Sequence, residues 1–287
     1  MIYDKIILLG TGKLFLDCMA HLKNLGLPFA GYDMSGKPQK ITKLQAEKKQ
    51  LPYYQKEKIE VCKELRSEEE KILLLSVINP CIIPGDILSK ENILALNIHQ
   101  ALLPRHKGRN AEAWAIYDGD TVSGITWHKM LAAVDKGAVL SQKQIEITER
   151  TTSYQLFRQQ LAAAYESFTE FLPAVLKGEE TYQIQPEGPS EFRYSYEIPN
   201  EGRLDLNWDG SRISRFLRAI DYGGLPVFKP ATVALDGEIY TYKSYRITRV
   251  EDIPDLGTVK DGDTIIIRKK GYEIVLSKCS VFDVENI

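Results

Sequence analysis

The chain has 287 residues, 44% of them apolar, enough for one large domain and a smaller one. With 37 basic and 39 acidic residues its formal charge is −2, which argues against a protein that holds nucleic acid mainly through phosphate contacts. Cys18, Cys62, Cys81 and Cys279 show no C-x-x-C spacing, and no apolar run approaches the ~18 residues of a spanning helix, so a disulfide framework, a zinc module and a membrane protein are all disfavoured.

The first element read is a strand, Lys5-Ile6-Ile7-Leu8-Leu9; no basic leader or signal-like apolar core precedes it, and with reduced thiols this gives an expectation of a cytoplasmic protein. The strand turns through Gly10-Thr11-Gly12 into a helix expected from Lys13 to Leu25. Phe15 stands where a dinucleotide fingerprint needs its third glycine, so the glycine pair reads as a tight turn, and a dinucleotide-dependent oxidoreductase is opposed. A second strand is expected over Pro28–Tyr32, a helix over Lys56–Arg66 and a buried strand over Lys71–Val77, followed by Ile82-Ile83-Pro84. Ile93–Ile98 reads as the central strand, and Asn110–Tyr117 as a short helix with Trp114 on its inner face. The strand Gly124–Met130 runs toward Asp135-Lys136-Gly137, and the apolar spacing of Ser153–Leu176 predicts a long helix closed by Gly178.

This alternation of strands and helices predicts an α/β fold, a Rossmann-like, mostly parallel sheet with helices on both faces. After residue 178 the character changes. Residues 179–199 are polar and proline-bearing and read as a linker. Residues 200–287 combine an amphipathic helix, Ser211–Ala219, with short strands punctuated by Asp236-Gly237, Asp261-Gly262-Asp263 and Lys270-Gly271, the pattern of a small β-rich, barrel-like domain. The expected division is therefore 1–178, 179–199 and 200–287.

Asn97, His99 and Asp135 stand at the ends of apolar runs, where an α/β sheet presents its site. An amide, an imidazole and a carboxylate can together stabilise an oxyanion, shuttle a proton and fix an imidazole's charge, which suits acyl transfer to an amine. Taken alone, Asn97 and His99 could equally cap a sheet edge, and Asp135 with Gly137 could be an ordinary turn. His128 reads as a packed support, and His106 and His21 as surface residues. No histidine–acidic spacing suggests a metal.

Three ordered blocks carry more than spacing: N-I-H-Q-A-L-L-P-R-H-K-G-R-N-A from Asn97, G-D-T-V-S-G-I-T-W-H-K-M from Gly119, and V-D-K-G-A-V-L-S-Q from Val134. They resemble the folate-dependent formyltransferases. The form H-x-M-x-x-x-x-D-x-G-A is most similar to the sugar-nucleotide branch, as in the formyltransferase half of the enzyme that modifies lipid A with aminoarabinose, and the C-terminal module is also similar to that of methionyl-tRNA formyltransferases. Many members have two acidic residues and a glycine before the aspartate. Here Leu131-Ala132-Ala133-Val134 stand there, which leaves the hydration of the folate loop open.

The resemblance implies Asn97, His99 and Asp135 as the catalytic trio. It implies 10-formyltetrahydrofolate as co-substrate near Ile82, Ile83, Leu131, Val134 and Gly137, and an amine acceptor near Gly12, Leu102, Arg105 and Arg109. In the basic cluster of Arg105, Lys107 and Arg109, guanidinium groups could match the phosphates of a nucleotide-linked amino sugar, though a solvated loop would look the same. A tRNA, amino acid or peptide-precursor acceptor stays open, as do a silent binding protein and a homodimeric assembly.

Overall fold

The computed structural model describes residues 1–36, 40–186, 191–251 and 253–282. Its first element is strand β1 (Lys5–Gly10), followed by α1 (Gly12–Asn24), β2 (Phe29–Asp33), α2 (Lys40–Lys48), β3 (Tyr53–Gln55), α3 (Lys58–Ser67), β4 (Ile72–Val77), α4 (Gly85–Leu88) and β5 (Ile93–His99). A two-residue strand β6 (Lys107–Gly108) and helix α5 (Ala111–Asp118) precede β7 (Val122–Lys129), β8 (Val139–Glu146) and the 25-residue helix α6 (Ser153–Lys177). Seven of these strands form one sheet in the order β3-β2-β1-β4-β5-β7-β8.

The first five strands of that order run parallel, whereas β7 pairs with β5 antiparallel, so the sheet is mixed along one side. Strand order reverses between β1 and β4, the place where open α/β sheets form a crevice beyond the carboxyl ends of the strands. β4 is buried along its whole length, as its unbroken apolar run requires of a strand covered on both faces. Gly10 is needed at the end of β1 because a Cβ there would lie 1.8 Å from the Val77 carbonyl oxygen. The tight turn expected at Gly10-Thr11-Gly12 thus has its cause in close strand packing.

Alternation along β7 sends Ile125 and Trp127 into the core under α6. The Trp127 ring packs edge-on against Phe171, 5.2 Å between centroids, and its indole N–H donates to the Ala164 carbonyl at 3.1 Å. The neighbouring Thr126 and His128 project from the opposite face of the strand. Thr126 Oγ1 accepts from Leu103 N–H (3.1 Å) and donates to the Ala101 carbonyl (2.7 Å), which pins the loop leaving β5. His21, expected at the surface, is half-buried, its ring 5.8 Å from that of Phe168.

Two compact units divide the chain. One comprises 1–108, 124–145 and 158–192; the other comprises 109–123, 146–157 and 193–287. This differs from the contiguous division at 178 and 200 expected from composition, because α5 and the start of α6 belong with the C-terminal residues. The stretch 179–199 also does more than link. Gln183 exchanges backbone hydrogen bonds with Val139, N–H to O distances of 2.7 and 2.8 Å, and Tyr182 lies under the Lys129 ammonium at 3.9 Å. Residues 187–190 of that stretch lie outside the described residues.

The second unit continues with β9 (Phe192–Arg193), a short 3-10 turn, β10 (Arg203–Leu204), α7 (Gly210–Ala219) and strands β11 (Thr232–Leu235), β12 (Glu238–Thr241), β13 (Ser244–Arg249), β14 (Gly257–Asp261), β15 (Thr264–Lys269), β16 (Tyr272–Ser277) and β17 (Ser280–Val281). Strands β10 to β17 form two four-stranded sheets, β10-β11-β12-β17 and β13-β16-β15-β14. The three predicted turns are all hairpin loops, with Asp236 and Gly237 both at positive φ as a two-residue loop of the right twist demands. Asp209 caps α7 by accepting the Arg212 N–H at 2.8 Å, and Ile213, Phe216 and Leu217 of that helix are buried with Val233, Ile265 and Ile274. Within this unit Arg218 is buried and donates to the carbonyls of Thr148 and Thr151 at 3.3 and 2.9 Å.

Candidate functional site

Asn97 and His99 occupy the carboxyl end of β5, and the antiparallel register places Asn97 directly opposite His128 on β7. The Asn97 amide nitrogen lies 3.2 Å from His128 Nε2, while the buried Ser76 hydroxyl at the end of β4 donates to Asn97 Oδ1 at 2.7 Å. Asp135, 6% exposed, follows β7 in a left-handed turn with φ 55°. Its Oδ2 accepts the Gly108 N–H at 2.9 Å and stands 3.6 Å from His99 Nδ1; its Oδ1 stands 3.6 Å from His128 Nε2. The three residues expected from sequence are therefore brought together, with His128 joining them as a fourth.

Hydrogen-bond partners fix the protons. A carbonyl only accepts, so the Lys129 carbonyl at 2.8 Å requires a proton on His128 Nδ1, and the His106 carbonyl at 2.8 Å requires one on His99 Nε2. His128 Nε2 thus lies between the Asn97 amide and Asp135 Oδ1. Of the two protons on the Asn97 amide nitrogen, one faces His128. Neutral His99 carries its lone pair on Nδ1, the atom nearest Asp135.

Burial pushes the His99 pKa below its ordinary 6.5, against the opposing pull of Asp135 and the His106 carbonyl. Burial alone would raise Asp135, but the His99 and His128 imidazoles and the Gly108 N–H outweigh it and hold its carboxyl down at about 2. At neutral pH the pair is thus a neutral base beside a carboxylate.

The residues expected around this centre divide into several surroundings. Ile83 is buried, whereas Ile82 and Leu131 are exposed, Val134 is half-buried and Gly137 is buried. A Cβ on Gly137 would fall 1.8 Å from the Lys129 carbonyl oxygen, so only glycine lets the Asp135 turn lie against the end of β7. The 82–85 loop approaches the same turn, since a Cβ on Gly85 would be 3.0 Å from that of Ala132. Gly12 and Leu102 are half-buried in the first unit, Arg105 is exposed there, and Arg109 is exposed in the second. Lys107 is buried rather than solvated; burial and then the charge of Lys136 lower its pKa, with Asp135 opposing.

Sequence reasoning missed Ser76 and Gln185. Ser76 is the single polar residue in the run Ile72–Val77, and that interruption was the available signal. Gln185 lies in the polar stretch after α6, where nothing in the composition distinguishes it. Its amide nitrogen donates to the carbonyls of Asp135 (2.9 Å) and Gly137 (2.8 Å). No group of three His, Cys, Asp or Glu side chains among the described residues is arranged to hold a metal. No helix among them is long and apolar enough to cross a membrane.

An amide, two imidazoles and an ionised carboxylate at the carboxyl end of a mostly parallel sheet make a site equipped for group transfer with proton relay. Residues 32–172 match the formyl transferase family. That matching stretch is just under half of the chain, and over it the chain is similar to the family's domain. A GDP-perosamine N-formyltransferase of Brucella melitensis is 32% identical over 177 residues, 62% of this chain and 66% of that protein, so the match spans just under two thirds of the relative. A methionyl-tRNA formyltransferase of Myxococcus xanthus is 36% identical over 138 residues, 48% of this chain and 44% of that one. The N-formyltransferase from Helicobacter canadensis, solved with folinic acid and dTDP-3-aminofucose, shares the fold with a TM-score of 0.75 over 98% of this chain and 100% of that one, at 15% identity.

Proposed function

We propose that this protein transfers a formyl group from 10-formyltetrahydrofolate to the primary amine of a nucleotide-linked amino sugar. The observation that carries the reading is the linked set Asn97, His128, Asp135 and His99, held within 3.2–3.6 Å steps at the end of β5. The similarity to a GDP-perosamine N-formyltransferase supports the acceptor class. The folate supplies an activated formyl carbon; the amine nitrogen bonds to it, the bond from that carbon to the folate nitrogen breaks, and a proton moves from amine to leaving nitrogen.

The chain's own groups suit each requirement. Asn97 donates its second amide N–H to the oxyanion that forms at the formyl carbon. His99 takes the amine proton at Nδ1, and the Asp135 carboxylate 3.6 Å away offsets the positive charge so created. Asp135 then relays protons through water toward the departing nitrogen. His128 holds the Asn97 amide from one side while Ser76 holds it from the other. The exposed apolar side chains of Ile82 and Leu131, with the close approach of the 82–85 loop to Ala132, fit a flat pterin covered on its faces.

A cytoplasmic location and a small-molecule acceptor belong to the same reading. A tRNA acceptor is the second reading, favoured by the Myxococcus relative and opposed by the formal charge of −2. Incubating the protein with 10-formyltetrahydrofolate and a panel of amines, including nucleotide-linked 3-amino and 4-amino sugars and charged initiator tRNA, and following formylated product by mass spectrometry, tests both. Formylation of an amino sugar nucleotide is expected. Formylation of the tRNA alone would reassign the acceptor, and no product from any amine would overturn the activity.

A further inference from the structure

We infer that Gln185 is a positioning residue for this site, its side-chain amide clamping the left-handed turn that carries Asp135. The kinetic part of this inference rests on the proposed formyl transfer; the structural part stands independently of it.

Asp135 sits at φ 55°, a conformation that a β-carbon disfavours and that persists only where the surroundings enforce it. Three attachments enforce it. On one side Lys129 N–H donates to the Ala138 carbonyl at 2.9 Å, and Gly137 lies against Lys129 with no room for a side chain. At the carboxylate itself, Gly108 N–H donates to Oδ2. The third is Gln185, whose two amide protons have two carbonyl acceptors, those of Asp135 and Gly137, at 2.9 and 2.8 Å. An amide NH2 is the one neutral side-chain group with two protons on one nitrogen, so it can bridge these two carbonyls, and a carboxylate of the same shape cannot.

Gln185 is itself held in place by the chain, because Gln183, two residues earlier, pairs through its backbone with Val139 at the start of β8. The turn is thereby fastened between two strand ends, β7 through Lys129 and β8 through the Gln183 bridge. The bond from Gln185 to the Asp135 backbone is made on the residue whose carboxylate faces both imidazoles. Losing it lets the turn relax and carries the carboxylate away from His99 and His128. A misplacement of about 1 Å at such a group is enough to cost on the order of a hundredfold in rate.

The test uses the full chain with Gln185→Ala and Gln185→Glu, and Gln183→Ala as a control whose backbone bridge is retained. Crystal structures of the two Gln185 variants are expected to show the Gly108 N to Asp135 Oδ2 contact opened by about 1 Å, with the control unchanged. With wild-type formyl transfer established, kcat should fall about tenfold to a hundredfold in both Gln185 variants while the acceptor KM stays within about threefold. Adding Gln185→Ala to Asp135→Asn should then change kcat by less than about twofold, because a residue acting through Asp135 has nothing left to position.

An Asp135 turn that stays in place in the crystals of both variants overturns the inference. So does a kcat equal to wild type, or a loss that multiplies undiminished in the Asp135→Asn background, the mark of general destabilisation. If wild-type protein formylates none of the amines, the proposed function fails, and the crystal comparison alone decides the role of Gln185.

Discussion

Replacing Asp135 by Asn removes one charge and almost nothing else. The side-chain oxygen that remains can still accept the Gly108 N–H, so the turn keeps its anchor. What disappears is the field on His99. Its Nε2–H is committed to the His106 carbonyl, so a proton taken up during turnover must land on Nδ1, 3.6 Å from the Asp135 carboxylate. At that distance two unit charges attract by about 4–5 kcal/mol at an effective dielectric of about 20. If the imidazole carries between half and nearly all of a charge in the transition state, about 2–4 kcal/mol of stabilisation is lost. This corresponds to a kcat lower by roughly thirtyfold to a thousandfold, overlapping the range of ~10²–10⁴ for a positioned acid–base group. The assay is steady-state product formation at saturating folate and acceptor, on protein whose circular dichroism and thermal midpoint match wild type. A folded Asn variant with kcat within about tenfold of wild type would show that Asp135 does not stabilise charge on His99.

Asn97→Ala and His99→Ala should each lower kcat by at least about a hundredfold, measured in the same assay; folded variants within threefold of wild type would remove their roles. Because burial holds the His99 pKa below 6.5, the neutral base persists to lower pH, and the acid limb of the wild-type rate profile should fall below 6.5; a limb above that value contradicts the assignment. Arg105→Ala or Arg109→Ala should raise the KM of a sugar-nucleotide acceptor roughly tenfold with the folate KM nearly constant, and unchanged acceptor kinetics in both would mark the pair as solvated loop. Glu112 is buried in the second unit with Tyr222 O–H donating to it at 2.8 Å, and burial raises its pKa above 4.5. A raised carboxyl pKa means the folded state disfavours the charged form, so the penalty is absent below the unfolded value and grows as pH rises above it. Glu112→Gln should therefore raise the thermal midpoint near about pH 8 and leave it unchanged near about pH 4; the same shift at both would refute burial as the cause.

Much of the first unit was legible because its strands are unbroken apolar runs and its helices show clear spacing. Ile72–Val77 and Ile93–His99 fell where expected, and the Asp-Gly and Lys-Gly turns gave the C-terminal hairpins by local chemistry alone. Asn97, His99 and Asp135 were legible as a set through the surrounding sequence blocks. The part of His128 was not, since it depends on β7 running antiparallel to β5 in the register that opposes it to Asn97. That register is a long-range pairing with no local signature. Gln185 escaped for a similar reason, because a polar residue in a polar stretch acquires its meaning only from the two carbonyls it meets. The burial of Lys107 likewise reverses what its basic neighbours suggested.

The chain's path between its two compact units limits how it can be recombined. Residues 109–123 and 146–157 belong with the C-terminal unit, yet both fall inside the 32–172 segment that matches the family. A chimera made by one crossover near residue 178 or 200 would therefore exchange the C-terminal sheets while leaving behind α5 and the start of α6 from the original parent. Tyr222 would then face a Glu112 position of foreign origin, and Arg218 would meet carbonyls from a foreign 148–151 segment. A graft meant to transplant the second unit intact would need three crossover blocks, carrying both internal segments along with the C-terminal residues.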